Sequence, residues 1–324
     1  MTKTKTKKQP TRLSHWLALG IFSQLLYLPT SIFTKLLTND LDPSVIVVAR
    51  YSMASLVFLP LIIYGVYKHR KAVARNLKLI VFASLMVSMV PLLHAMTLSM
   101  ADVSFVMILH MLSPIVFTIL SIMIIKDRIS RHALIGLLFA ILGGAVVLVL
   151  PTVLGSGKVI TFGWLPVILA AIVMVITQLW TVCNRKINES GVPLPVIAGL
   201  GLMAHCVVGL VVTLANGGFE ALDTLRDLPQ GDWMLLVYLA MIGSVVGSLL
   251  PIKIYEKIGT AAQTTLDYLY YVFVIIIPVV ALGETLSLEM IIGAVLIMIG
   301  IIFTQVHHSH KGHGAHHRHA VAHK

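Results

Sequence analysis

Residues 126–143 read KDRISRHALIGLLFAILG, and residues 283–300 read GETLSLEMIIGAVLIMIG. At a shift of 157 residues Asp127 falls on Glu284, Ser130 on Ser287, Ile135-Gly136 on Ile292-Gly293, and Gly143 on Gly300. Each stretch is a short polar turn running into an apolar segment with glycines seven residues apart. That spacing sets both glycines on one helix face, where small residues let backbones approach closely inside a membrane. Several matches at one offset point to an internal duplication.

The rest of the chain places these copies in a bilayer. Of 324 residues, 58% are hydrophobic and 11% are charged, and the mean hydropathy is +0.94. Soluble domains carry about 25% charged residues. A transmembrane helix needs about 20 mostly apolar residues. Ten segments qualify: 13–33, 43–66, 79–98, 103–125, 132–151, 163–183, 194–215, 233–253, 259–282 and 288–306. Only Tyr255-Glu256-Lys257 separates the eighth from the ninth. The first follows a basic run as a signal peptide would, but it is too long for a signal core and lacks a small-residue cleavage site.

The net charge of +11 would suggest nucleic acid in a soluble protein. Here the basic residues follow the positive-inside rule, which fixes orientation by the loops that hold Lys and Arg. With a cytoplasmic N-terminus, the basic runs at Lys3–Arg12, Lys68–Lys78, Lys126–Arg131 and Arg185-Lys186 are inside. Lys158 and Arg226 are left outside with Asp40, Asp42, Asp102, Glu220, Asp223, Asp227, Asp232, Glu284 and Glu289. The expectation is an all-α, multi-pass protein of the cell's inner (plasma) membrane with both termini cytoplasmic. Its units are a basic N-terminus over 1–12, a five-helix repeat over 13–151, a second over 163–306, and a cytoplasmic tail over 307–324. Five helices is an odd number, so the second copy enters the membrane upside down. Inverted repeats of this kind build transporters that rock around a midplane site.

The residues quoted so far, with Leu112-Ser113-Pro114-Ile115-Val116-Phe117, Lys35, Pro43 and Arg50, resemble the EamA-type transporters of the drug/metabolite transporter superfamily. The resemblance covers nearly the whole chain. It implies two inverted five-helix halves, a central cavity, and export of metabolites or drugs. This chain departs from the family pattern at Asp127, where Glu is usual. It departs again at Tyr271, where a second-half proline would match Pro114; the nearby proline is Pro278.

Ionisable groups at membrane depth are costly and usually functional. Asp267 lies eight residues into the ninth span, and its repeat partner is His110. Each is roughly 12 Å from its membrane face at 1.5 Å per residue. A carboxylate and an imidazole at one depth can share a proton, so the pair is a candidate for proton-coupled exchange. Thr264 and Tyr271 share the face of Asp267, and Tyr270 is adjacent. Arg50 offers a planar fork for an anion, or a tie between helices. Gln24, His94, Gln178 and Trp180 complete the candidate lining. Lys35 is read as snorkelling to the outer interface. His205 falls in a seventh span expected to be peripheral and is left out.

The tail beginning His307, His308, His310 and His313 is a compositional metal tract, or a solvated end. It supports divalent-metal efflux as an alternative to metabolite export. A receptor or scaffold is the alternative outside transport. Enzyme activity is not expected, since neither His-Glu-x-x-His nor Gly-x-Ser-x-Gly occurs. The expected partners are a small-molecule substrate and membrane lipid, without nucleic acid or a cofactor. A homodimer is left open.

Overall fold

The computed structural model describes residues 10–125, 131–154 and 158–319. Among these the secondary structure is helical throughout, with no strand. Eight helices are long and apolar enough to cross a membrane: His15–Leu37, Pro43–Lys68, Leu77–Met100, Val103–Leu120, Leu134–Leu154, Leu165–Glu189, Leu194–Gly217 and Gln230–Ile254. Leu269–Leu282 and Leu288–Phe303 are apolar but shorter. Large apolar side chains such as Leu56, Ile63, Phe82, Leu142, Val153 and Val280 face outward. Apolar surface of that extent needs a nonpolar solvent, and a bilayer supplies it.

Helix breaks fall where the backbone chemistry demands them. The first span is α1, Pro10–Tyr27, followed by α2, Pro29–Leu37. Pro29 has no amide proton to give the preceding turn, and the Thr30 hydroxyl instead donates to the Tyr27 carbonyl at 2.7 Å. After α3, Pro43–Lys68, and α4, Leu77–Met100, the expected single span over 103–125 is divided. It forms α5, Val103–His110, and α6, Ser113–Ile125, which carries Pro114 in its first turn, where the missing amide proton costs no bond within the new helix. Then come α7, Arg131–Leu154; α8, Leu165–Glu189; α9, Leu194–Gly217; and α10, Gln230–Tyr238. A π-helical segment, Leu239–Val246, joins α10 to α11, Gly247–Leu282.

One expectation is corrected here. Tyr255-Glu256-Lys257 does not separate two helices, because α11 runs through it without a break. Helix α12, Leu288–His319, carries the backbone past His307, His308, His310 and His313. The side chains of those histidines, and the whole of segment 126–130 with Asp127, lie outside the described residues.

The glycines that opened the sequence argument form the α7–α12 seam, the most extensive helix pair of the fold. A Cβ on Gly143 would lie 2.6 Å from the Gly293 carbonyl oxygen, and one on Gly300 would lie 2.5 Å from that of Gly136. On Gly293 it would strike Val147. Backbone meets backbone along this seam, so no larger residue fits. Elsewhere α3 packs on α9 and α4 on α8, while α1 packs along α11. Helix α5 is apolar but for Ser104 and His110, and Val103–Leu109 are all buried, as a helix of that composition must be.

Candidate functional site

Two cavities lie between these helices. The larger, about 540 Å³, is lined by Gly20, Ser23, Gln24 and Tyr27 from α1, Thr177 and Gln178 from α8, and Gly247, Pro251, Ile254, Leu266, Tyr270 and Tyr271 from α11. It sits toward the end of the bundle where α1 begins. The smaller, about 290 Å³, lies further along α2 and is lined among others by Ser31, Arg50, Tyr51, Pro91, His94, Met107 and His110. Tyr27, Thr177 and Tyr270 line both, so the cavities meet there.

Seven residues singled out in the sequence come together around these spaces. Gln24, Gln178 and Tyr271 line the larger cavity; Arg50, His94 and His110 line the smaller; Tyr270 lines both. The Tyr270 ring is 6.2 Å from that of Tyr27 and 5.9 Å from that of Tyr271, centre to centre. Trp180 lines neither cavity and packs instead on the cluster of Val73, Ile80, Ile187, Val192 and Val196. Thr264 and Asp267 are on α11 either side of the cavity-lining Leu266, with side chains outside the described residues.

His110 faces another imidazole. Its ring centre is 5.2 Å from that of His94, and His110 Nε2 and His94 Nδ1 are buried without a hydrogen-bond partner. Arg50 is held from several sides. Its Nε donates to Ser244 Oγ at 2.8 Å, and its guanidinium lies 5.0 Å from the Tyr51 ring centre. Behind Tyr51 is the ring of His205, at 4.6 Å. The expectation that His205 is peripheral is therefore wrong: α9 packs against α3, and His205 backs the wall that carries Arg50.

Ser244 and Gly243 were not legible as site residues. Both belong to the π-helical segment, where Ser244 Oγ also donates to the Leu239 carbonyl at 3.1 Å. A Cβ on Gly243 would be 2.9 Å from Thr30 Cγ2 and 3.1 Å from Arg50 Nη2. Single π turns inside α-helices occur often at functional sites.

Charged side chains tie helix termini together around the start of α5. Glu284 accepts from the Val103 and Ser104 amides at 2.7 and 2.8 Å and from the Ser104 hydroxyl at 2.6 Å. It therefore caps α5 from outside that helix, and its negative charge meets the positive end of the helix dipole. Gly283, at φ 68°, makes the left-handed turn that delivers it. Asp102, which precedes α5, pairs instead with Lys158. Lys35 donates to the Leu98 and Ala101 carbonyls at 2.7 and 3.2 Å, capping the end of α4. Lys35 is thus tied to a helix terminus, where the sequence suggested snorkelling.

The model of the EamA-like transporter family matches this chain twice, over residues 7–149 and 159–306. The chain belongs to the EamA-like transporter family. This EamA-like chain is 26% identical over 196 residues to YyaM of Bacillus subtilis (strain 168), named an uncharacterized transporter. That match spans 59% of this chain and 60% of the relative. A solved crystal structure superposes with a TM-score of 0.56 at 18% identity, covering 90% of this EamA-like chain and 97% of the other. At that identity it speaks for the fold alone. With its apolar exterior, this EamA-like protein is a multi-pass membrane protein.

Proposed function

We propose that the protein is a secondary transporter that exports a small polar solute from the cytoplasm by alternating access, with the two joined cavities as its substrate path. The observation that carries this reading is the convergence of Gln24, Arg50, His94, His110, Gln178, Tyr270 and Tyr271 on two adjoining cavities inside an apolar bundle. Polar linings at membrane depth mark substrate pathways.

The reading includes ten spans in two inverted five-helix halves, with both termini cytoplasmic in the plasma membrane. The packing supports it. Under the 157-residue shift, α3 corresponds to α9 and α7 to α12, and each packs on its own counterpart. The contact of α4 with α8 corresponds to that of α10, the π segment and α11 with α1 and α2, and both occur. The larger cavity lies against α1, α8 and α11, while Glu284, Lys35 and the Asp102–Lys158 pair tie helix termini around α5. Proton coupling through His110 and Asp267 belongs to the same proposal, with His94 beside His110 as a further imidazole.

The test is the metabolite profile of the medium around cells with wild type, with Asp267→Asn, and with no protein, at matched membrane levels. A compound class outside only with wild type is the expected result. Its export rate should vary with pH, and lose that dependence in Asp267→Asn. Equal profiles from wild-type and empty cells would sink the export reading. Equal export with equal pH dependence from both proteins would remove Asp267 from the mechanism.

A further inference from the structure

We propose that the turn between α3 and α4 binds an anionic phospholipid of the surrounding bilayer, with its phosphate held by Lys68, Arg70 and Lys71 and an acyl chain laid along α3. The site needs only that the bundle lies in a membrane, and it is independent of the solute carried. A third cavity, about 290 Å³, is lined by Lys68, His69, Arg70, Lys71 and Ala72. Three cations therefore surround a space apart from the two cavities between the helices. Among the described residues the ion pairs are Lys158–Asp102, Arg185–Glu189 and Arg226–Asp223, so a carboxylate neutralises none of the three.

The turn is anchored from behind and presents its charge outward. A short helical stretch, Arg70–Arg75, joins α3 to α4. Its Val73 is buried in the cluster with Ile80, Ile187, Val192 and Val196, and Arg75 donates to the Ser190 carbonyl at 2.6 Å. Those contacts fasten the stretch to the turn between α8 and α9. Lys68, Arg70 and Lys71 stay exposed. Lys68 Nζ lies 5.5 Å from the Tyr64 ring centre, and the Arg70 guanidinium lies 5.8 Å from that of Tyr67. Both rings are exposed as well. A cation against an aromatic ring at the end of a membrane helix sets the charge at headgroup level and the ring at the top of the acyl chains.

An apolar track leads away from this charge. Leu56, Pro60, Ile63 and Tyr67 are exposed and fall at i, i+4, i+7 and i+11, which is one face of a helix. At 1.5 Å per residue the track is about 16 Å long, close to half of a hydrocarbon core about 30 Å thick. One acyl chain covers that length while its phosphate sits among Lys68, Arg70 and Lys71. Orientation in the membrane asks for positive loops; it does not ask for tyrosine-backed cations at the head of such a track. The turn after α9, the counterpart of α3, pairs its arginine instead, Arg226 with Asp223 at 3.4 Å. Lysine and arginine suit a phosphate, and basic clusters at the membrane surface attract anionic lipid. A zwitterionic headgroup would bring an ammonium group to the same three cations, so the ligand is the anionic kind.

The test follows the melting temperature of the full chain in detergent, titrated with short-chain phosphatidylglycerol, short-chain phosphatidylcholine or inorganic phosphate. A ligand that binds only the folded protein raises the melting temperature once its concentration passes its Kd. Phosphatidylglycerol is expected to act at about one tenth of the concentration that phosphatidylcholine needs, and inorganic phosphate, which has no chain, to act more weakly than phosphatidylglycerol. Equal action of the two lipids would overturn the proposal. A phosphate response equal to that of phosphatidylglycerol would overturn it too, making the cavity a site for free phosphate. Arg70→Gln combined with Lys71→Gln should weaken the phosphatidylglycerol response about tenfold or more, since each basic residue near the surface contributes roughly fivefold. Lys253→Gln combined with Lys257→Gln removes the same charge from exposed positions on α11 and should leave the response as in wild type. Equal losses in the two double variants would reduce the effect to net charge and overturn the site. If the Arg70 and Lys71 variant does not survive solubilisation, the wild-type comparison of the two lipids decides.

Discussion

Arg50 Nε donates to Ser244 Oγ at 2.8 Å, across 194 residues of chain. The bond joins the first half of the sequence to a π-helical turn of the second, at the wall of the smaller cavity. Gly243 leaves that turn open to the guanidinium. Replacing Gly243 with alanine puts a methyl group 3.1 Å from Arg50 Nη2 and 2.9 Å from Thr30 Cγ2. The fork must move, and the expected outcome is a KM raised about tenfold, the equivalent of about 1.4 kcal/mol. The protein level in the membrane should be unchanged. Transport kinetics in cells of matched expression check it.

The glycine seam between α7 and α12 sets the second expectation. Gly143→Val and Gly300→Val each force side-chain atoms into a backbone carbonyl 2.5 to 2.6 Å away. Overpacking of this kind costs about 1–3 kcal/mol, and rigid backbone on both sides places these at the upper end. The melting temperature of the solubilised protein should fall for both. Gly231→Ala is the control, because a Cβ there meets nothing within 4 Å.

Much of this arrangement was legible in the sequence, and the residues show why. Gly136, Gly143, Gly293 and Gly300 could be read because helical periodicity alone puts each pair on one face. Depth could be read for His110 because helix rise and span position fix it. Contacts that depend on how helices rotate could not. The sequence gives no sign that Trp180 turns toward Val196, or that His205 backs Tyr51. The π turn that brings Ser244 to Arg50 has no composition of its own. The continuity of α11 through Tyr255-Glu256-Lys257 was hidden because three polar residues look the same in a loop and on a helix that passes an interface.

Glu284 supplies the third expectation. Its carboxylate takes three hydrogen bonds from Val103 and Ser104. Bonds to a charged group contribute about 1.5–3 kcal/mol. Glu284→Ala should lower the melting temperature clearly, and Glu284→Gln should lower it less, since an amide oxygen still accepts. Equal melting of Glu284→Ala and wild type would show that the cap does not hold α5.

The histidine tail gives the fourth. Export by way of the two cavities requires nothing from residues 307–324. A chain ending after Val306 should therefore export at the wild-type rate, and its host should tolerate zinc as before. Loss of zinc tolerance with export unchanged would restore the metal-efflux reading.

The most direct measurement uses Thr177, which lines both cavities where they meet. Its hydroxyl is spent on the Val173 carbonyl of its own helix, at 2.7 Å, so cysteine is a mild replacement. In a background of Cys183→Ser and Cys206→Ser, Thr177→Cys is coupled to a bulky methanethiosulfonate, and export is followed before coupling, after it, and after reduction. The account predicts that coupling stops export, that reduction restores it, and that the exported solute slows the coupling. Export that continues undiminished with every Thr177→Cys site blocked would contradict it.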